Sequence, residues 1–333
     1  MSGGAVRRDP GAGAGAGAGE IAALSSRAAA LLRGGVAAGE IWHTLATEAP
    51  HRASVTARDA REPAEQAGAS SSRVSRAAAA VAREIDGGRD VAAALAAQPQ
   101  APWRVLAAAW LLGEQSGAPL APVLERISAA CRELERLAER RAVLHAGPRA
   151  TVRLVLVLPA LAFGLGAVLG FNPIPILMTG PGVFLLLGGA ALLGVGVAWT
   201  RALQRRVERS DTVTGLECEL MWVALGGGAA PALARLRTAD AVDGAGAEWV
   251  PLWRLCRGEL LDTVVETAVG TGAALRPLLL AEARAARVRA AAELEREAER
   301  FGVQILLPLG ICVLPAFIAV GVAPVILAML RGL

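Results

Sequence analysis

The chain has 333 residues, of which 54% are hydrophobic and 19% are charged. Soluble domains average about 45–50% apolar and about 25% charged residues, so this composition favours a membrane protein, and four cysteines are too few for a disulfide-built secreted domain. The net charge is only +4 and acids are interspersed among the arginines, which argues against a nucleic-acid-binding surface.

The N-terminal part is predicted to be helical after a short tail. Residues 1–19 are rich in Gly and Ala and carry no apolar signal-peptide core, so we expect a disordered tail there. Helical spacing of apolar residues follows over 20–48, with a break at Gly34-Gly35. Residues 49–76 are polar and contain prolines and serines, which indicates a surface loop.

A second group of helices follows this loop. Helical spacing predicts helices over 74–85 and 103–113, and then a long helix from Leu120 into an apolar region. The apolar positions of the long helix are three and four residues apart, which is typical of a helix-packing seam.

Two stretches of the chain contain no charge, at 154–200 and 301–330. A membrane-spanning helix needs about 20 mainly apolar residues. The first stretch can hold two spans, near 152–171 and 179–199, and the second can hold one, near 303–330. We therefore predict three transmembrane helices.

Arginines flank the predicted spans and set their orientation. They precede the first span, follow the second and precede the third, whereas the turn at 172–180 carries no charge. The positive-inside rule then places the N-terminal region and residues 201–302 in the cytoplasm.

The order of features suggests an internal duplication. Residues 116–124 are similar to residues 271–279, and each stretch precedes an Arg/Glu-rich helix and an apolar span with a Leu-Pro pair. The helix break at 31–36 has a counterpart at 224–228.

At these residues the chain resembles the F-domain proteins of type II secretion, type IV pilus and tight-adherence systems. The resemblance rests on Leu-Leu-Arg-Gly-Gly-Val (31–36), Gly-Gly-Arg-Asp-Val-Ala-Ala-Ala-Leu (87–95), Gly-Glu-Gln-Ser-Gly (113–117) and the C-terminal 307–317. The last of these is closest to the tight-adherence members. The second copy departs from the pattern at 271–272, where Thr-Gly stands without a preceding Gly-Glu.

The resemblance implies an all-α integral membrane protein with two cytoplasmic helical-bundle repeats and three transmembrane helices. The expected domains, in chain order, are a tail (1–19), repeat 1 (20–150, with the polar loop 49–76), a transmembrane hairpin (151–200), repeat 2 (201–302) and a C-terminal transmembrane helix (303–333).

The resemblance also implies a non-enzymatic inner-membrane platform. Such a platform couples a cytoplasmic secretion or pilus ATPase to pilin assembly or protein secretion, and it works with a second platform subunit or as a homo-oligomer in the lipid bilayer. A membrane transporter or another oligomeric membrane scaffold is the alternative, although the predicted spans carry few polar residues that could mark a substrate pathway.

Candidate residues come from the motif and not from catalytic chemistry. The chain has no lysine, so it cannot contain a P-loop lysine. His43, His51 and His145 lack metal-ligand spacing. We therefore expect no catalytic, metal-binding or cofactor-binding residue. Glu114 has two possible roles: it caps or solvates the turn before the Leu120 helix, or it makes a packing or partner contact. The family-motif positions with a possible partner contact are Gly113, Glu114, Gly117, Leu120, Gly272 and Leu275.

Overall fold

The computed structural model describes residues 10–47, 64–140, 143, 164, 180–208, 214–304, 307, 309–323 and 326. Over this part of the chain the secondary structure is helical, with no strand, in agreement with the all-α prediction. The chain divides into two compact units. Unit 1 contains Met1–Glu139 and Thr212–Ala291, and unit 2 contains Arg140–Asp211 and Ala292–Leu333.

The first stretch of unit 1 contains, in chain order, α1 (Pro10–Arg33), α2 (41–47), α3 (Ala64–Asp86), α4 (Val91–Ala96), α5 (Ala101–Ser116) and α6 (120–140). Local chemistry fixes several of the helix ends. The Asp90 carboxylate caps α4 by accepting from the Ala93 amide at 2.7 Å. Pro102 lies in the first turn of α5, where its missing N–H costs nothing.

Two expectations for this stretch differ from the structure. Residues 10–19, expected in the tail, form the start of α1, and Ala18 is fully buried there; alanine is a strong helix former, and burial against the core adds to its preference. Residues 64–76, expected in the polar loop, form the start of α3. Residues 1–9 and 48–63 lie outside the described part of the chain.

The remaining helices follow in chain order: α7 (Gly180–Glu208), α8 (Leu216–Ala224), α9 (Pro231–Ala245), α10 (Leu252–Arg257), α11 (Glu259–Thr271), α12 (Leu275–Gln304) and α13 (Leu314–Phe317). A 3₁₀ turn, Leu225–Gly227, follows α8. Two π-helical turns, Leu309–Val313 and Ile318–Val322, flank α13.

Unit 1 has one hydrophobic core that both of its stretches build. Helix α5 packs against α1 and α4 of its own stretch and against α8 and α9 of the other. Trp42, Trp103 and Trp110 are at most 2% exposed, and the Trp42 ring centroid lies 6.4 Å from that of Trp103 and 5.9 Å from that of Trp110. Leu216 and Met221 of α8 belong to the same buried cluster. The residues assigned to two repeats therefore share a single core, and the duplication itself stays a prediction.

In unit 2, α7 packs against α13 and the two π-helical turns. Large apolar side chains on α7 are exposed, Phe184 by 79% and Leu187 by 62%. None of the helices in the described residues combines the length and the apolarity that a membrane crossing requires. The first predicted span lies almost wholly outside the described residues, and the third lies partly outside them. The three spans stay predictions.

Candidate functional site

Gly113 and Gly117 shape the turn that joins α5 to α6. A side chain at Gly113 would bring its Cβ to 2.7 Å from Cδ2 of Leu120, so the absent side chain makes room for that leucine. Gly117 ends α5 with φ 66°, and the Ala118 amide donates to the Gly113 carbonyl at 3.1 Å. This left-handed C-cap is the conformation that glycine adopts most readily. Three of the motif positions thus build one tight helical corner.

Glu114 is exposed but is tied to the core beneath it. Its Oε1 accepts from the indole N–H of Trp110 at 2.7 Å, and Trp110 is fully buried against Trp42. Glu114 therefore satisfies a buried donor and still presents its carboxylate at the surface. A contact with a partner is untested at this position.

The α5–α6 turn packs against the glycines that follow α8. Ser116 Oγ donates to the Val223 carbonyl at 3.3 Å. A methyl group at Gly227 would overlap the Ser116 carbonyl, and one at Gly226 would overlap the Ala118 side chain. Residues of the first motif and its neighbour Ala118 therefore form a contact between the two stretches of unit 1.

The second motif has the same local geometry but a more exposed position. Gly272 ends α11 with φ 70°, and the Ala273 amide donates to Thr271 Oγ1 at 3.3 Å, as the Ala118 amide does to Ser116 Oγ. Leu275 packs against the core, while Gly272 is exposed. Val269 stands where the first copy has Glu114 and is 77% exposed. The second copy lacks the acid, as its sequence indicates.

A buried ion network joins α6, α8 and α12. The fully buried Glu219 carboxylate binds Arg126 through two hydrogen bonds, one of them 2.8 Å long, and accepts from Arg287 Nη2 at 2.9 Å. Arg287 Nη1 donates to Glu133 at 2.6 Å. The hydrogen bond to Glu219 raises the pKa of Arg126, against the lowering effect of burial. Two positive and two negative charges therefore balance inside the bundle.

The sequence analysis missed this network, although a signal was present. Glu217 and Glu219 interrupt the otherwise apolar run of α8, Leu216–Ala224. A carboxylate on an apolar helix needs a buried counter-charge, because an unpaired buried charge costs several kcal/mol, on the order of 3–5 when one partner is removed. Its partners, more than 60 residues away in the chain, could not be identified by spacing.

Glu217 is less well compensated than Glu219. It is 2% exposed, its Oε2 has no hydrogen-bond partner in the described part of the structure, and its Oε1 lies 3.7 Å from Arg254 Nη1. Burial raises the pKa of the Glu217 carboxyl, and backbone hydrogen bonds and Arg254 only partly oppose that effect. The neutral acid is therefore favoured at this position more than at an exposed glutamate.

The described residues hold no cluster of three or more His, Cys, Asp or Glu side chains arranged for a metal ion. Burial raises the pKa of the Cys131 thiol to about 12 and that of the Cys218 thiol further. Both thiols stay protonated at neutral pH and are poor nucleophiles.

Part of the chain matches a known protein family. Residues 52–167, about a third of the chain, match the model of the type II secretion system (T2SS), protein F. No curated protein shows a significant match to the chain. The matched region includes α3–α6, so it contains the Gly113–Gly117 corner and two members of the ion network. The domain indicates a platform family related to type II secretion and type IV pili, whose members are non-catalytic inner-membrane components and generally work with secretion ATPases and other platform subunits.

Proposed function

We propose that this chain is an inner-membrane platform subunit of a type II secretion or tight-adherence pilus system, and that it couples a cytoplasmic ATPase to pilin assembly or protein secretion. The observation that carries the proposal is the protein F match over residues 52–167. The charge-free stretches at 154–200 and 301–330 support a multi-pass location with a cytoplasmic N-terminus. Pilins, a second platform subunit and a homo-oligomer are the other proposed partners.

The construction of unit 1 suits a part that transmits force. In unit 1, helices α6 and α12 are tied to α8 by the ion pairs that the buried Glu219 forms with Arg126 and Arg287. Such pairs resist displacement because separating them leaves uncompensated charge in the interior. A protein that relays movement of a motor needs this resistance, whereas a transporter needs polar groups along a pathway through its spans.

The ATPase contact is tested at Glu114. We expect Glu114→Gln to keep the acceptor for the Trp110 indole and thus the fold, yet to reduce co-purification of the full chain with its cognate ATPase at least threefold. The matched control is Glu266→Gln, an exposed acid on α11. If the Glu114→Gln variant binds the ATPase as well as wild type, Glu114 does not contact the ATPase. If the wild-type chain does not bind the ATPase at all, the proposed function is wrong.

Topology gives a second, independent test. We expect a reporter inserted within 172–180 to lie on the outer side of the membrane. We expect a reporter at the N-terminus to lie in the cytoplasm. A cytoplasmic signal from the 172–180 insertion would contradict the three-span arrangement.

A further inference from the structure

The first turn of α12 packs Leu275, Leu278 and Leu279 against the core of unit 1, and beyond Leu279 small side chains dominate its buried face. Between the buried Leu279 and Leu294, the buried residues of α12 are Ala283, Ala286 and Arg287. Alanine offers one methyl group, so an axial shift changes the apolar area buried by the stretch between these two leucines only a little. Over these four turns apolar packing specifies the axial position of α12 weakly, and Arg287 is the one large buried side chain.

Arg287 is held from two different helices. Its guanidinium donates to Glu219 of α8 at 2.9 Å and to Glu133 of α6 at 2.6 Å. Glu219 is in turn bound by Arg126 of α6, seven residues before Glu133. Helix α6 thus contacts the network at two points about two turns apart, and α12 contacts it at one point between them.

We propose that this network is a register lock, which fixes the axial position of α12 against α6 and α8. A hydrogen bond is lost when its atoms move apart by about 1 Å, whereas a slip of one helical turn moves them by about 5.4 Å. The hydrogen bonds among the four side chains therefore form in one register only, with Arg287 Nε left without a partner in the described part of the structure, while the alanines tolerate several registers. Buried polar groups that select one register at a cost in stability are known in coiled coils.

The register lock also couples axial movements of the helices within unit 1. Movement of α6 or α12 along its axis is carried to the other helix and to α8 through the shared Glu219 and Arg287 side chains. This mechanical role rests on the contacts alone and stands whether or not the chain serves in secretion.

Spin-label distances in the full-length chain test the lock. Cysteines are introduced at the exposed positions Arg136 of α6 and Val288 of α12, with the exposed native Cys256→Ser. Pulsed electron paramagnetic resonance then measures the label-to-label distance, which we expect to be a single narrow population in the otherwise native chain.

The decisive variant replaces the three most buried members with apolar residues of similar size: Arg126→Met, Glu219→Leu and Arg287→Met. Glu133 is 36% exposed at its side chain and can be solvated alone. We expect helicity to be retained, because apolar replacement of buried ion-network members is often tolerated and the remaining Glu133 can be solvated. We expect the distance distribution to broaden or split by about 5 Å, one helical turn. A single unchanged distance in the folded variant would overturn the proposal.

Two further variants complete the test. Arg33→Met with Glu125→Leu removes an exposed ion pair in the same way and should leave the distance unchanged. If the triple variant does not fold, Glu219→Gln replaces it, and the same broadening is expected from the charge loss alone. An unchanged distance in Glu219→Gln contradicts the lock, and so does its failure to fold, because the network would then be needed for folding and not for register.

Discussion

Burial acts differently on two acids that are two residues apart in α8. Glu219 is surrounded by two guanidinium groups and makes three hydrogen bonds to them. Glu217 is as deeply buried, but one of its oxygens has no partner among the described residues, and the cation Arg254 is 3.7 Å away. The same side chain is therefore hydrogen-bonded to two cations at one position, and at the other it is a carboxyl with a raised pKa and a single, more distant cation.

The raised pKa of Glu217 makes stability depend on pH. Because the pKa is higher in the folded than in the unfolded protein, its contribution is fully present below the ordinary value of 4.5 and is lost as pH rises through the folded pKa. We expect Glu217→Gln to remove this loss, so the variant gains stability relative to wild type between about pH 4 and about pH 7.5. Each unit of pKa shift corresponds to about 1.4 kcal/mol.

Chemical unfolding of the full chain in detergent, followed by circular dichroism at both pH values, measures the difference. Glu217→Leu has no ionisable group either and must show the same pH trend. A difference between Glu217→Gln and wild type that stays constant with pH would show that the pKa of the Glu217 carboxyl is the same in the folded and the unfolded protein.

At the scale of elements, two similar helix breaks have different uses. Gly35 has φ 91° and Gly228 has φ 80°, and aligning the two breaks on these glycines places Arg33 opposite Gly226. Gly226 and Gly227 lie against the α5–α6 turn, where a Cβ would overlap Ala118 or Ser116. The Arg33 side chain would keep another turn from packing as closely as the α5–α6 turn packs on Gly226. The break after α1 therefore could not form the same contact.

This contact predicts opposite effects of two glycine substitutions. We expect Gly227→Ala to destabilise the protein by about 1–3 kcal/mol, the usual cost of overpacking, because its methyl group meets the Ser116 carbonyl. Gly244→Ala is the matched control. Gly244 lies within α9, a Cβ there would have nothing within 4 Å, and the substitution should gain about 0.5–1 kcal/mol.

Thermal unfolding of the two variants beside wild type checks both signs. A Gly227→Ala protein as stable as wild type would mean that the α5–α6 turn moves away from α8 without cost, and the close contact would then not be needed for stability.

At the scale of the whole molecule, the two stretches of unit 1 depend on each other. Helix α5 lies against α1 and α4 on one side and against α8 and α9 from the other stretch, and most of its side chains from Trp103 to Leu112 are buried. Removing residues 212–291 would expose this apolar surface to water. Unit 1 is therefore expected to be one cooperative unit.

Fragments test this dependence. We expect residues 10–139 expressed alone to aggregate or to lack a cooperative unfolding transition, and co-expression with residues 212–291 to restore protease resistance to both. Calorimetry and limited proteolysis measure the outcome. Independent folding of either fragment would support two separate repeat domains as the sequence suggested.

The sequence alone determined the features that depend on neighbours along the chain. Helical spacing predicted the helix that ends near Gly113–Gly117 and the long helix from Leu120, and the similarity of 116–124 to 271–279 related the turn at Gly117 to the one at Gly272, because caps and periodicity act over one or two turns. The motif also indicated the family domain that the match over 52–167 supports. The boundaries of α1 and α3 were missed, because low-complexity Gly/Ala and Ser-rich stretches are weak helix signals until tertiary packing stabilises them.

Which distant groups meet depends on how the helices pack in three dimensions. The Arg126–Glu219–Arg287–Glu133 network joins residues up to 154 positions apart, and the packing of Ser116 on Gly227 joins the two stretches of unit 1. Neither contact follows from composition or period, since both depend on how the helices pack. The stretches that look like separate repeats in the chain share one core, because the apolar surface of α5 is covered only when both are present.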